Sequence, residues 1–527
     1  MKRIVIIPLL LSTLYGEDVV LDDGWKVSGQ LNAYLQNINV VGGKDTTGRD
    51  GMTHNEALNL NASTHLNNGE TGVNLRVRGT NDARIQKDGA EVLYFRSFYK
   101  DKRWNLEAGD VAASLNPYVF SGTLKGAKAE YRSQKKSHTL NYAVIGGLLK
   151  PAWRDFYSED DTERPTAYAT ALAVQYLHDR AQELRFNAAV YKDDIATGGS
   201  ATVTDGKEGY SLGLDGKWRF NKYMTLKGYC AYNYGTKDLR HDIAYHGSSA
   251  VTLKFLTRPI LKLMKSNFTY QRISAKYISL GGIGASDKEQ LENSTLYRIS
   301  KTLKARLDLK ARRDNVDNDD LNETQHIYYE KLGLTYYPTF IKRTTLNFRV
   351  SNKDVKGRGA DNSAIVAGVD MTIRRRDGWR YGLGYEYQDS INRDINASGL
   401  SATTNNVYLL AGYKQRLSEV RSYRFTCRVN YRLISNAQDT VGLKIDAGYQ
   451  HNKQLSADLL YLLNNTNHEV ANNTQNSTYQ ARAAYKLDEK GRNVVRLLLE
   501  KRDVNVESLS TSSYDEYIEK LSLVMNF

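Results

Sequence analysis

The sequence predicts an all-β protein: a single large antiparallel up-and-down transmembrane β-barrel of about 26 strands, with short periplasmic turns and long external loops. Three observations predict it. Apolar and polar residues alternate with period two from Trp25 to Phe527. The links between alternating segments are short and long by turns. Beyond the first 20 residues no apolar run reaches the ~18 residues of a spanning helix. Composition fits: of 527 residues 41% are hydrophobic and 25% charged, and 37 Tyr, 12 Phe and 5 Trp are too many aromatics for a disordered chain. Two cysteines exclude a disulfide scaffold.

The chain opens with Lys2 and Arg3, an apolar run from Ile4 to Leu11 and small or polar residues to Gly16. This is the pattern of a secretory signal peptide over 1–16. Its removal lowers the formal charge from +14 to about +12. The remainder, 17–527, is expected to be one barrel domain with strands from about residue 25, without plug or periplasmic domain. Cys230 and Cys427 have no CxxC partner and are expected to be unpaired, inert thiols on the apolar face.

Alternation is clearest in Tyr423–Leu433, where Tyr423, Phe425, Cys427, Val429, Tyr431 and Leu433 share one face and Arg424, Thr426, Arg428, Asn430 and Arg432 the other. Leu303, Ala305, Leu307 and Leu309 likewise alternate with Lys304, Arg306, Asp308 and Lys310. Only a strand puts alternate residues on opposite faces. Even Arg492 to Arg502, the most helix-like stretch, reads as a strand. Strands of roughly 8–14 residues are expected. Short links include Asn67–Thr71, Lys100–Arg103, Asp179–Gln182, Arg375–Gly378, Asn452–Lys453 and Glu489–Arg492. Long links include Val41–His54, Lys150–Pro165, Asp193–Lys207, Ala275–Glu292, Ile391–Asn405 and Thr466–Asn476. Pro117, Pro151, Pro165, Pro259 and Pro338 fall in or beside links, as expected of a residue that cannot donate to a ladder. Aromatics near strand ends, such as Tyr328/Tyr329 and Tyr336/Tyr337, suit interfacial girdles.

At the C-terminus Tyr517, Leu521, Leu523, Met525 and Phe527 occupy alternate positions, broken at Glu519. This resembles the terminal insertion signal of Gram-negative outer-membrane β-barrel proteins of the porin-like kind. The resemblance implies residence in the cell outer membrane, contact with its lipids and insertion by the barrel-assembly machinery. About 26 strands at ~4.8 Å spacing and ~40° tilt give a cylinder roughly 50 Å across. Side chains do not fill such a lumen, so loops or a separate protein must narrow it. Gly109 to Gly122 (GDVAASLNPYVFSG) carries a single charge, Asp110, and is a candidate to fold inward; Lys276 to Asp287 is similarly glycine-rich and mostly apolar.

The face assigned to the lumen is basic: Arg76, Arg78, Lys304, Arg306, Lys310, Arg312, Arg374, Arg424, Arg428 and Arg432. Such a lining favours anions or an acidic partner, mildly so because a wide lumen is screened at a Debye length of about 8 Å. A solvated wall with internal salt bridges is the alternative. The basic residues are spread rather than clustered, so nucleic-acid binding is not expected. His178–Asp179 and His241–Asp242 are adjacent acid–base pairs, but no HExxH, CxxC, GxSxG or CxxCH motif is present, so no enzyme, metal or cofactor is expected. Three functions follow: a conduit that encloses or docks a partner, a passive loop-constricted porin, or a surface enzyme or adhesin using its loops. The first resembles the porin-like sheaths of electron conduits, whose lumen holds a multihaem cytochrome; secretion or export components are the other expected occupants.

Overall fold

The computed structural model describes residues 19–20, 24–42, 50–82, 89–149, 153, 166–178, 181–194, 207–236, 245–258, 263–277, 287–317, 324–357, 360–393, 401–435, 438–468, 472–488, 490–507 and 512–527. The signal-peptide segment lies outside them, as do His241, Asp242, Asp179, Pro151, Pro165 and Pro259. Among the described residues, twenty-seven strands form one sheet. β1 (Val19–Val20) is a two-residue stub paired with the start of β2 (Lys26–Val41). From β2 to β27 (Tyr514–Asn526) each strand pairs antiparallel with the next. β2 also pairs with β27, from Gln30↔Asn526 to Val41↔Asp515, so the sheet closes into a 26-stranded barrel and leaves no edge. Among the described residues there is no α-helix.

Cross-strand partners share a face, so one residue of known direction fixes the whole ring. The outward face carries large exposed apolar side chains: Leu172 and Val174, Leu212 and Leu214, Leu383 and Tyr385, Val429 and Tyr431, Leu497 and Leu499. The inward face is polar. This is inverted relative to a soluble protein and is the arrangement a bilayer demands. Outward aromatics gather near both strand ends: at the short-turn end Trp379 lies 4.7 Å from Tyr413, Tyr413 5.6 Å from Tyr423, and Trp104 4.8 Å from Tyr131, and at the long-loop end Tyr234 lies 5.6 Å from Tyr210 and 5.6 Å from Tyr245. They form interfacial girdles. Cys230 and Cys427 are free and outward-facing.

Several strands run further than expected into the long-loop end, whereas the short links expected at Asn452–Lys453 and Glu489–Arg492 are longer, at 451–454 and 487–493. β2 and β3 (Gly51–Leu66) have 16 residues each, and β3, β15 (Lys288–Arg298) and β21 (Ala402–Arg416) begin inside links read as loop. Apolar alternation stops where lipid stops, whereas the hydrogen-bonded ladder continues into water with both faces wet. The long-loop end is also not long throughout: β18 (Thr344–Gly357) is followed almost at once by β19 (Ala360–Arg374), and β22 (Ser422–Ile434) by β23 (Gln438–Gln450).

Candidate functional site in the lumen

The hairpin of β6 (Trp104–Ser114) and β7 (Ser121–Gln134) departs from the cylinder. β5 (Ala90–Lys100) pairs with β6 only between Arg96↔Gly109 and Lys100↔Asn105, and β8 (His138–Leu148) pairs with β7 no further than Lys125. The upper parts of β6 and β7 therefore bond mainly to each other. The bend is at Gly109, with φ of 101° and a neighbour, Phe95 O, that would lie 2.3 Å from any Cβ. Only glycine satisfies both conditions.

Beyond the bend, Leu115–Phe120 forms a compact turn lodged against the inner wall. Asn116, fully buried, accepts from the Tyr118 N–H at 2.9 Å through its side chain and donates to Cys230 O at 3.2 Å, the middle of β12 (Met224–Thr236). Tyr118 Oη bonds Thr252 and accepts from Gln271 Nε2 at 2.7 Å; Tyr277 donates its phenol to the Tyr118 carbonyl. Burial pushes the Tyr277 phenol up, which keeps it a donor. Val111, Val119, Phe120 and Leu124 pack with Ala169, Ala171, Ala189 and Tyr191 in one buried apolar cluster. Gly109 to Gly122 thus folds inward, reaching mid-barrel depth along one side of the wall. Of the second stretch, Tyr277 joins this cluster and 278–286 lie outside the described residues.

Where the hairpin peels away the wall needs a seal. Asp110, nearly fully buried, accepts from the Phe95 N–H at 2.7 Å, from Lys125 Nζ at 2.7 Å and from Trp153 Nε1 at 2.5 Å. Its carboxylate replaces the missing strand carbonyl. Lys125 Nζ also lies 4.6 Å from the Trp153 ring centroid, and Trp153 meets Phe95 edge-on at 5.9 Å. The sequence marked Asp110 only as the lone charge of an apolar link; nothing in it marked Trp153, whose partners are distant in the chain.

The register places all ten lumen-assigned basic residues on the inward face. Four have carboxylate partners: Arg78 with Glu91, Arg306 with Asp308 at 2.9 Å, Lys310 with Glu292 at 3.1 Å, and Arg424 with Asp458 at 2.8 Å. The others, Arg76, Lys304, Arg312, Arg374, Arg428 and Arg432, have no ion pair among the described residues. Lys304 lies 5.1 Å from the Tyr337 ring and Arg428 4.6 Å from that of Tyr408. The wall is thus part salt-bridged and part free cation. The register puts Tyr517, Leu521, Leu523 and Met525 on the outward face, with Phe527 beside Gly29. His178 ends β9 (Thr166–His178) and stacks on Tyr176. No group of three His, Cys, Asp or Glu able to hold a metal exists among the described residues.

No protein-family profile matches the sequence, and no curated protein matches it. Among solved structures, the siderophore receptor PirA from Pseudomonas aeruginosa is similar at TM-score 0.39 and 11% identity, over 95% of this chain and 80% of the receptor. The P pilus usher PapC translocation pore is similar at 0.39 and 11%, over 95% of this chain and 99% of PapC. Pseudomonas aeruginosa OccK2 (OpdF) is similar at 0.29 and 9%, over 97% and 100% of the two chains. At these values no role passes from those proteins to this chain.

Proposed function

We propose that this chain is a non-enzymatic pore of the outer membrane, a wide polar conduit that admits water-soluble solutes with a mild preference for anions. The observation that carries this reading is the combination of an outward apolar face, an inward charged face and a hairpin lodged along one flank of the lumen. Each free inward cation attracts anions over about one Debye length, ~8 Å, so selectivity in a lumen roughly 50 Å wide is weak.

Planar-bilayer recording tests it. The purified barrel should give steady, large conductance whose reversal potential in a salt gradient lies slightly to the anion side. Asn116→Ala with Tyr118→Ala, which cuts the hairpin from its wall, should raise the noise and change the mean conductance while leaving the selectivity in place. Silent bilayers, or cation selectivity, would remove the reading.

A further inference from the structure

The two ends of the barrel carry opposite charge. The described residues of the twelve connections at the short-turn end include fifteen Lys and Arg against four Asp and Glu, a net +11; those of the thirteen at the other end include three against six, a net −3. The inward wall continues the positive end. Within the last three or four residues of their strands, Lys217 faces Lys227, Lys227 faces Lys254, Arg298 faces Lys304, and Arg374 faces Arg380. Like charges directly opposite each other destabilise a sheet; Lys217 also has Glu183 directly opposite on its other side, yet none of these seven has an ion pair among the described residues. The cost recurs at three places around one mouth, and an anionic surface would relieve it at all of them.

We propose that the short-turn mouth is the docking site of a folded, acidic, water-soluble protein, which enters or caps the lumen from that side. The proposal rests on the conduit reading for which face is the lumen. Three features select a protein. The like-charged sets spread from β11 (Glu208–Arg219) to β20 (Trp379–Asn392), an arc of roughly 55–60 Å at ~4.8 Å strand spacing and ~40° tilt. A single extended polyanion meets one or two of them at a time, whereas a globular face meets all. The sets point into the mouth, while the outward face at the same level is the aromatic girdle of Trp379, Tyr413 and Tyr423, so lipid headgroups meet rings rather than these cations. Finally, the opposite end is acidic and repels the same partner, which gives the complex a side.

The test uses the full barrel in phosphatidylcholine nanodiscs and three probes: a negatively supercharged fluorescent protein, its near-neutral parent and poly-L-glutamate. The negative folded protein should bind at least tenfold more tightly than its parent and than poly-L-glutamate per chain, with affinity falling as salt rises. The variant carrying Lys217→Gln, Lys227→Gln, Arg374→Gln and Arg380→Gln should lose at least tenfold of that binding. Its unboiled gel mobility checks that the barrel is intact, and relief of repulsion should raise its urea midpoint. Unchanged binding by this variant would overturn the proposal. Poly-L-glutamate binding as tightly as the folded probe would replace it with a site for flexible polyanions. Tenfold competition from phosphatidylglycerol in the disc would replace it with a lipid surface. Binding without conductance would remove the open pore and keep the docking site; conductance without binding would do the reverse.

Discussion

Gly29→Val should leave the cylinder unclosed. The last ladder bonds of the barrel run between Gly29 and Phe527, N–H to O at 2.7 Å one way and 3.0 Å the other. The Phe527 ring, 6% exposed, lies on the bare backbone of Gly29, where a Cβ would stand 2.5 Å from the ring and 2.6 Å from Asn59 O. A branched side chain there cannot coexist with the ring or with the neighbouring strand. An unclosed sheet in lipid leaves backbone donors and acceptors unpaired at several kcal/mol each. The valine variant should therefore lose the fast-migrating form that unboiled barrels show on detergent gels. Phe527→Ala removes a buried aromatic at a cost of about 3–5 kcal/mol and should lower the urea midpoint without abolishing closure. A fully fast-migrating Gly29→Val barrel would show that closure does not pass through this contact.

The second large effect is expected at the seam. Asp110→Ala deletes the acceptor for three donors and leaves Lys125, almost without solvent contact, as an uncompensated charge. Removing one partner of a buried pair costs about 3–5 kcal/mol. The hairpin should loosen, giving protease cleavage between Ser114 and Ser121 and a lower urea midpoint. Asp110→Asn keeps acceptor capacity and should be milder. The double variant Asp110→Leu with Lys125→Met removes both charges together and should recover much of the loss, because an apolar pair of similar volume often equals a buried ion pair in stability. Equal stability of Asp110→Ala and the parent would mean that the seam is held by something else.

The barrel was legible in the sequence because its two environments differ so much. Tyr423 to Leu433 must meet lipid on one side and water on the other, and no arrangement but a strand does this with alternate residues. The inward fold of Gly109 to Gly122 was legible for a related reason: a link with one charge is poorly suited to water, and here Val119 and Phe120 are almost fully buried. The seal was hidden, since Asp110, Phe95, Lys125 and Trp153 meet only through the fold. So were the facing cations. Lys217 and Lys227 look like two ordinary polar-face residues until the register sets them opposite each other. The strand ends at Gly51 and Ala402 are not legible in the sequence, because both faces are wet there and alternation carries no information.

The protein is a single cylinder with strict division between an outward lipid face and an inward water face, and its two native thiols report on that division directly. Cys230 and Cys427 lie near the middle of β12 and β22 (Ser422–Ile434), on the outward face. In native membranes a charged, water-soluble thiosulfonate should leave both unreacted, while a cysteine moved one residue inward, Thr426→Cys in a Cys427→Ala background, should react rapidly. Rapid labelling of Cys230 and Cys427 with protection at position 426 would turn the wall inside out and contradict the account.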